Sequence, residues 1–143
     1  MKQNPKSGEP LFRYPSNDGV VPGTRVTYTD PVAYLRDYGT QLDRIGYPGG
    51  KYLGAIEDGK PATFEQRAMP VAELTKPYHQ YQFTDNASER MQRDRVRIEV
   101  SRVAEGFGRD GGALQLRLFK PNPRGPDLLE MTVQGMLDEG YLQ

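Results

Sequence analysis

The sequence predicts an α+β domain built on a mainly antiparallel sheet, with a few short helices and an extended N-terminal arm. Three observations carry this expectation. A capped helix signal stands early in the chain at Asp30-Pro31, and period-two alternation appears late, over Arg95 to Val103 and Leu114 to Leu118. Between them, frequent Gly and Pro break the chain into short pieces, and strands that follow a helix in this way favour α+β over alternating βα units.

Residues 1–28 are rich in Pro, Gly, Asn and Ser, with few apolar positions beyond Leu11-Phe12 and Val20-Val21, and read as an extended arm or linker remnant ahead of a domain over 29–143. Asp30 can cap free amide groups and Pro31 suits a first helical turn, with Val32, Leu35 and Tyr38 as apolar stripe and Gly39 as terminator. From Arg44 to Pro61 the glycines and prolines predict loops and short strands. Tyr78 to Phe83 alternates, which puts His79, Tyr81 and Phe83 on one strand face. Arg95 to Val103 turns Val96, Ile98 and Val100 inward against Arg97, Glu99 and Ser101. Leu114, Leu116 and Leu118 do the same, leaving Gln115 and Arg117 on the polar face. Thr132 then caps a short helix carrying Val133, Met136 and Leu137, which Gly140 ends.

Composition excludes several functions. With 143 residues the chain suits one domain. Lys plus Arg and Asp plus Glu both number 19, so no overall field draws the chain to nucleic acid or anionic lipid, and any anion site must be local. The absence of cysteine excludes disulfides, a thiolate nucleophile and cysteine-based zinc sites, and one histidine excludes multi-histidine metal sites. No metal or resident cofactor is expected. No run of 18 apolar residues and no charged-then-apolar leader is present, so no membrane span or export signal is expected within this chain. Gly106-Phe107-Gly108-Arg109-Asp110-Gly111 fits a dinucleotide fingerprint, but that fingerprint needs a helix after it, and the alternation that follows is a strand pattern. No Gly-Lys-Ser/Thr follows, so a phosphate-binding P-loop fails too. A glycine-rich hairpin or bulge between two strands fits the local pattern.

Five blocks carry the functional signal. They are Leu42-Asp43-Arg44-Ile45-Gly46 with Gly50-Lys51-Tyr52-Leu53, Phe64 through Arg67-Ala68-Met69-Pro70, Pro77-Tyr78-His79, Gly108 through Gly111-Gly112-Ala113-Leu114-Gln115, and Gly140-Tyr141-Leu142. In this order and spacing they resemble the tuberculosis necrotizing toxin domain, a bacterial family of secreted NAD glycohydrolases, over roughly Leu42 to Leu142. The resemblance implies cleavage of NAD or NADP, as substrate, to nicotinamide and ADP-ribose, which depletes the cofactor in the cytosol of a target cell. It also implies a cognate immunity protein as partner, and a place at the C-terminus of a larger secreted protein that handles export. Carried across residue by residue, the family's cleft residues fall on Arg44, Tyr52, Arg67, His79 and Gln115. Arg44 to His79 matches without a gap, whereas the third glycine before the family glutamine is Ala113 here.

The implied roles make chemical sense. The NAD pyrophosphate is a dianion, and the planar arginine fork suits bidentate contact with phosphate oxygens, which makes Arg67 and Arg44 the binding candidates. Nicotinamide leaves as a neutral molecule and needs no proton, so the acid and base carboxylates of ordinary glycosidases are dispensable. Gln115, with a donor and an acceptor, could orient a ribose hydroxyl or the attacking water. His79 could position a hydroxyl or help with a proton, and Tyr52 could stack on nicotinamide or donate its hydroxyl. Loss of Gln115 is expected to lower turnover more than binding, and loss of Arg67 to raise KM. Taken singly, each has a plainer reading: a solvated arginine, a solvent-facing strand glutamine, a histidine at the core edge, a packed tyrosine.

Two rivals remain open at this level. A mono-ADP-ribosyltransferase breaks the same bond and commonly uses a glutamate near the ribose, for which Glu99 or Glu105 could be proposed. A noncatalytic module could use the Arg90 to Arg102 region to bind nucleic acid or an acidic partner, although Glu89, Asp94 and Glu99 dilute its charge.

Overall fold

A computed structural model of the chain describes residues 2–3, 10–11, 20–69, 76–106, 108 and 111–143. Phe12, Pro70, Phe107, Arg109 and Asp110 of the patterns above lie outside the described residues. Strands β1 (Lys2–Gln3) and β2 (Pro10–Leu11) form a small antiparallel pair. The main body runs β3 (Val26–Tyr28), α1 (Pro31–Tyr38), β4 (Gln41–Ile45), β5 (Leu53–Ala55), α2 (Phe64–Arg67), β6 (Tyr78–Gln82), α3 (Ala87–Arg93), β7 (Arg97–Arg102), β8 (Leu114–Pro121), β9 (Leu128–Glu130) and α4 (Val133–Asp138). Seven strands join in the order β3-β7-β8-β5-β4-β6, with β9 also on β8, and every pairing is antiparallel. The fold is the expected α+β arrangement.

The long strand β8 organises this sheet. Its leucines 114, 116 and 118 are buried and face the same side as Ile98 and Val100 of β7, Leu53 and Ala55 of β5, and Leu42 of β4. Tyr34, Met91, Val133, Met136 and Tyr141 complete the cluster, so the helices α1, α3 and α4 cover one face of the sheet. Burial of such side chains contributes about 1.5–3 kcal/mol each, which makes this face structural.

Helix α1 begins as its cap predicts: the Asp30 side chain accepts from the Val32 amide, Pro31 occupies the first turn, and Gly39 closes the helix at φ 81°. Its stripe differs from the expected one. Tyr34 is fully buried, Leu35 and Tyr38 pack at the rim, and Val32 stays 48% exposed. Positions 31, 34, 35 and 38 follow the helical period toward the sheet, and Val32 lies off that line. The segment expected as an arm also contributes to the body, because Val20 is buried and bridges Val103, and β3 pairs with β7.

Helix α3 has no foreseen counterpart. Ala87 and Met91, one helical turn apart, are its buried residues, on an otherwise polar segment. It also breaks up the arginine run. Arg90 and Arg93 lie on α3, Arg95 in a left-handed turn at φ 58°, and Arg97 on β7, so they do not form one strand face. The glycine-rich segment between β7 and β8 joins two antiparallel neighbours, as expected of a hairpin rather than a nucleotide fingerprint.

Helix α4 is capped by Thr132, which accepts from the Gly135 amide, and Gly140 follows at φ 78°. The turn delivers Tyr141 into the core, where its hydroxyl donates to Asp94. The Arg93 pair, and then this bond, hold the Asp94 carboxyl below its ordinary 3.8. A depressed carboxylate contributes stability above its unfolded value and loses it as pH falls through the folded one. Tyr141→Phe should therefore cost about 1–2 kcal/mol at neutral pH. Its deficit should narrow in strong acid, as read by urea denaturation.

Candidate functional site

The face of the sheet away from the core carries one polar row. Strand register aligns Gln80 of β6, Asp43 of β4, Gly54 of β5, Gln115 of β8 and Ser101 of β7. Cross-strand partners share a face, so these five positions point the same way. Gly54 stands in the middle without a side chain. The row therefore has a low floor between Asp43 on one side and Gln115 on the other.

Asp43 is 1% exposed and, among the described residues, is the one charged side chain that is buried. Arg67 offers it a two-pronged ion pair, with Nη1 donating to Oδ1 at 2.9 Å and Nη2 to Oδ2 at 2.7 Å. The Tyr78 hydroxyl also donates to Oδ2 at 2.8 Å, and Gln80 donates to that hydroxyl. The Tyr78 phenol is raised above its ordinary value, chiefly by burial, with the Gln80 bond opposing and the Asp43 carboxylate reinforcing the shift. A Cβ at Gly54 would meet Asp43 Oδ1 at 2.5 Å and Arg67 Nη1 at 3.4 Å. Gly54→Ala should accordingly displace the pair and cost about 1–3 kcal/mol in thermal or chemical unfolding.

Arg67 reaches this position from α2. A reciprocal cap between Thr63 and Gln66 starts that short helix, and Ala68 ends it in the left-handed region at φ 49°. The helix is stitched to the glycine-rich turn: the Gly111 amide donates to the Glu65 carbonyl, and the Ala113 amide to the Gln66 carbonyl. Gly111 itself passes so close to Val103 and Ala104 that a Cβ would lie 2.6 Å from the Val103 carbonyl oxygen. Thus the arginine block and the glutamine block meet across the floor. Gln115 is half-buried, and its Nε2 donates to the buried Ser101 hydroxyl at 3.3 Å, which leaves the amide oxygen as acceptor.

One row further along, Tyr52 is 37% exposed beside Arg117, whose guanidinium lies 5.2 Å from the Tyr52 ring centre and 5.1 Å from that of Phe119. Glu130 accepts a two-pronged bond from Arg117, and Glu99 a longer one; the Glu130 bond, above all, raises the Arg117 guanidinium further above its ordinary range. Gln115, Tyr52 and Arg67 are thereby brought to one face.

Arg44 and His79 are placed differently. They are direct cross-strand partners in the β4–β6 register and belong to the alternate set with Leu42 and Tyr81. The Arg44 Nε donates to the Tyr47 carbonyl at 2.8 Å and Nη1 to the Tyr52 carbonyl at 2.9 Å, so this arginine clamps the loop 46–52. Gly50 makes room for it, since a Cβ there would fall 1.8 Å from Nη2. The loop is tied in turn to the start of α4, with Val133 donating to the Gly50 carbonyl and Gln134 to the Pro48 carbonyl. His79 is exposed on the edge strand, with Tyr81 beside it. Three strand spacings, roughly 14 Å, separate β6 from β8, so His79 and Gln115 do not converge on one atom.

Asp43, Gly54, Tyr78 and Ser101 were not singled out from the sequence, although Asp43 and Tyr78 sit within quoted blocks. An open cleft of about 380 Å3 lies next to the row, at Gln41, Gln80, Gln82 and Pro61. Among the described residues no cluster of three or more metal-ligating side chains occurs, and no helix is long and apolar enough to cross a membrane.

Comparison with known proteins adds three findings. The family model described as Tuberculosis necrotizing toxin matches residues 37–143. The Outer membrane channel protein CpnT of Mycobacterium tuberculosis (strain ATCC 25618 / H37Rv) and that of Mycobacterium bovis (strain BCG / Pasteur 1173P2) are each 44% identical over 130 residues, which cover 91% of this chain but 15% of theirs. Among solved structures, tuberculosis necrotizing toxin complexed with its immunity factor superposes with a TM-score of 0.78 and 39% identity, over 99% of this chain and 65% of that one.

Proposed function

Because the chain belongs to the tuberculosis necrotizing toxin family, we propose that it is an NAD(P) glycohydrolase, which cleaves the bond between nicotinamide and ribose to give nicotinamide and ADP-ribose. The observation that carries this reading is the glycine-floored row, which gathers Gln115, Tyr52 and Arg67 on one face of the sheet. The chain spans about 15% of the length of the curated relatives it matches, so the fate of the whole protein belongs to the proposal as well. In that proposal the domain is the toxic part of a larger secreted protein, acts in the cytosol of a target cell, and is neutralised by a cognate immunity protein. The complex of the solved relative with its immunity factor supports the last point.

The chemistry asks little acid-base work of the protein. Nicotinamide carries its positive charge before the bond breaks and departs neutral, so the site must hold the ribose, tolerate an oxocarbenium-like centre and supply water. The Gln115 amide oxygen, with the nitrogen engaged by Ser101, is an acceptor for a ribose hydroxyl or for the attacking water. Tyr52 offers a partly exposed aromatic ring on the same face. The two Arg67 donors not taken by Ala62 and Asp43 would serve phosphate oxygens of the substrate. Arg44 and His79 belong to the strand face turned away from the row, so Arg44 would act by shaping the loop that carries Tyr52, and His79 would reach the substrate only around the edge strand.

The transferase alternative would rest on Glu99, which lies on the same face as the row and is ion-paired with Arg25 and Arg117, or on Glu105. The decisive experiment incubates the purified chain with NAD and follows both products by chromatography. Equal release of nicotinamide and ADP-ribose supports hydrolysis. Nicotinamide without free ADP-ribose means transfer to an acceptor, and no turnover removes the enzymatic reading.

A further inference from the structure

We propose that Asp43 is the positioning residue of this site: it holds the Arg67 guanidinium as a fixed, charge-compensated donor fork beside Gly54 for the oxygen atoms of the dinucleotide. The proposal rests on the glycohydrolase reading above. A guanidinium has five N–H groups. Here Nε donates to the Ala62 carbonyl at 3.1 Å, and one hydrogen from each Nη goes to Asp43. Two donors remain, one on each Nη, in a plane that the carboxylate fixes. Since the Arg67 side chain is 9% exposed, those donors meet a ligand from a nearly dry setting, where a hydrogen bond is stronger than in water.

The surroundings are built around the carboxylate rather than around the arginine alone. Tyr78 supplies a third bond to Asp43 from the edge strand, and Gly54 gives up its side chain so that Oδ1 can lie over the sheet. The pair carries no net charge. Recognition through it therefore depends on the direction of two N–H groups, and a long-range pull on the pyrophosphate is not its contribution.

The test is a cycle of Asp43→Asn and Arg67→Lys, singly and together, with KM and kcat for NAD. Asparagine retains the size of the carboxylate but cannot accept both prongs, and lysine retains a cation for Asp43 without a fork. Asp43→Asn should raise KM about tenfold while changing kcat by less than about threefold, and in the Arg67→Lys background it should change KM by less than about twofold. An unchanged KM, or the same factor in both backgrounds, overturns the proposal. If the wild-type chain does not turn over NAD, the glycohydrolase reading falls, and the positioning role is decided by the Arg67 Nη–H resonances in NMR. Slow exchange in wild type that is lost in Asp43→Asn supports it, and equal exchange in both overturns it.

Discussion

Under the glycohydrolase proposal, Gln115→Ala is expected to lower kcat for NAD hydrolysis by about 10²–10³-fold while leaving KM within a few-fold and the unfolding midpoint nearly unchanged. The magnitude is that of removing one pre-oriented hydrogen-bonding group from a reacting centre. The site gives reasons for the separation of effects. Gln115 is half-buried on the polar face, its neighbours in the row are Gly54 and Ser101, and the residues packing the core from β8 are Leu114, Leu116 and Leu118. Truncation removes no core contact and breaks the 3.3 Å bond to the Ser101 hydroxyl. Single-turnover kinetics with NAD, beside circular dichroism of the variant, measure both sides. Near-normal kcat would remove Gln115 from the mechanism.

Arg67→Ala is expected to have its main effect on the fold. Asp43 is 1% exposed, and without Arg67 it keeps only the Tyr78 hydroxyl among the partners described above. Breaking a buried pair by removing one member typically costs about 3–5 kcal/mol, because an uncompensated charge stays behind. For a domain of this size that lowers the melting temperature by about 10 °C or more. The rise in KM expected from a lost phosphate contact comes on top of this, and is read at a temperature where the variant is folded. The combined change Asp43→Asn with Arg67→Met should be less damaging than Arg67→Ala alone, since no charge is stranded. A loss below about 1 kcal/mol in Arg67→Ala would mean that water reaches the pair and that Asp43 is not held in a dry setting.

Both predictions bear on why the blocks of the sequence look as they do. Much of each block is scaffold. In the first, Leu42 is core, Asp43 anchors Arg67, Arg44 clamps the loop, and Gly50 makes room for its guanidinium. In the fourth, Gly111 permits a close backbone crossing before Gln115 enters β8. In the last, Gly140 turns the chain so that Tyr141 reaches Asp94. Residue types at fixed spacing thus record the architecture that presents the site as well as the site itself.

By itself the sequence determined what local physics can encode. The Asp30 and Thr132 caps, the Gly39 and Gly140 stops, and the alternation of Ile98 and Val100 and of the three leucines of β8 all depend on neighbours within a few residues. The absence of cysteine and the balanced charge likewise bounded the chemistry, and the spaced blocks pointed to the family. Three matters depended on tertiary structure. Helix α3 has a polar sequence and gains its place from burial of Ala87 and Met91. Val32 is exposed because the direction of α1 against the sheet selects Tyr34. The partner of Arg67 lies 24 residues away, and the row from Asp43 through Gly54 to Gln115 exists only once three strands are paired in one register. A shift by one residue would turn every member to the other face. Periodicity within a strand gives its two faces, but which residues meet across strands is decided by pairing, and the site lies across strands.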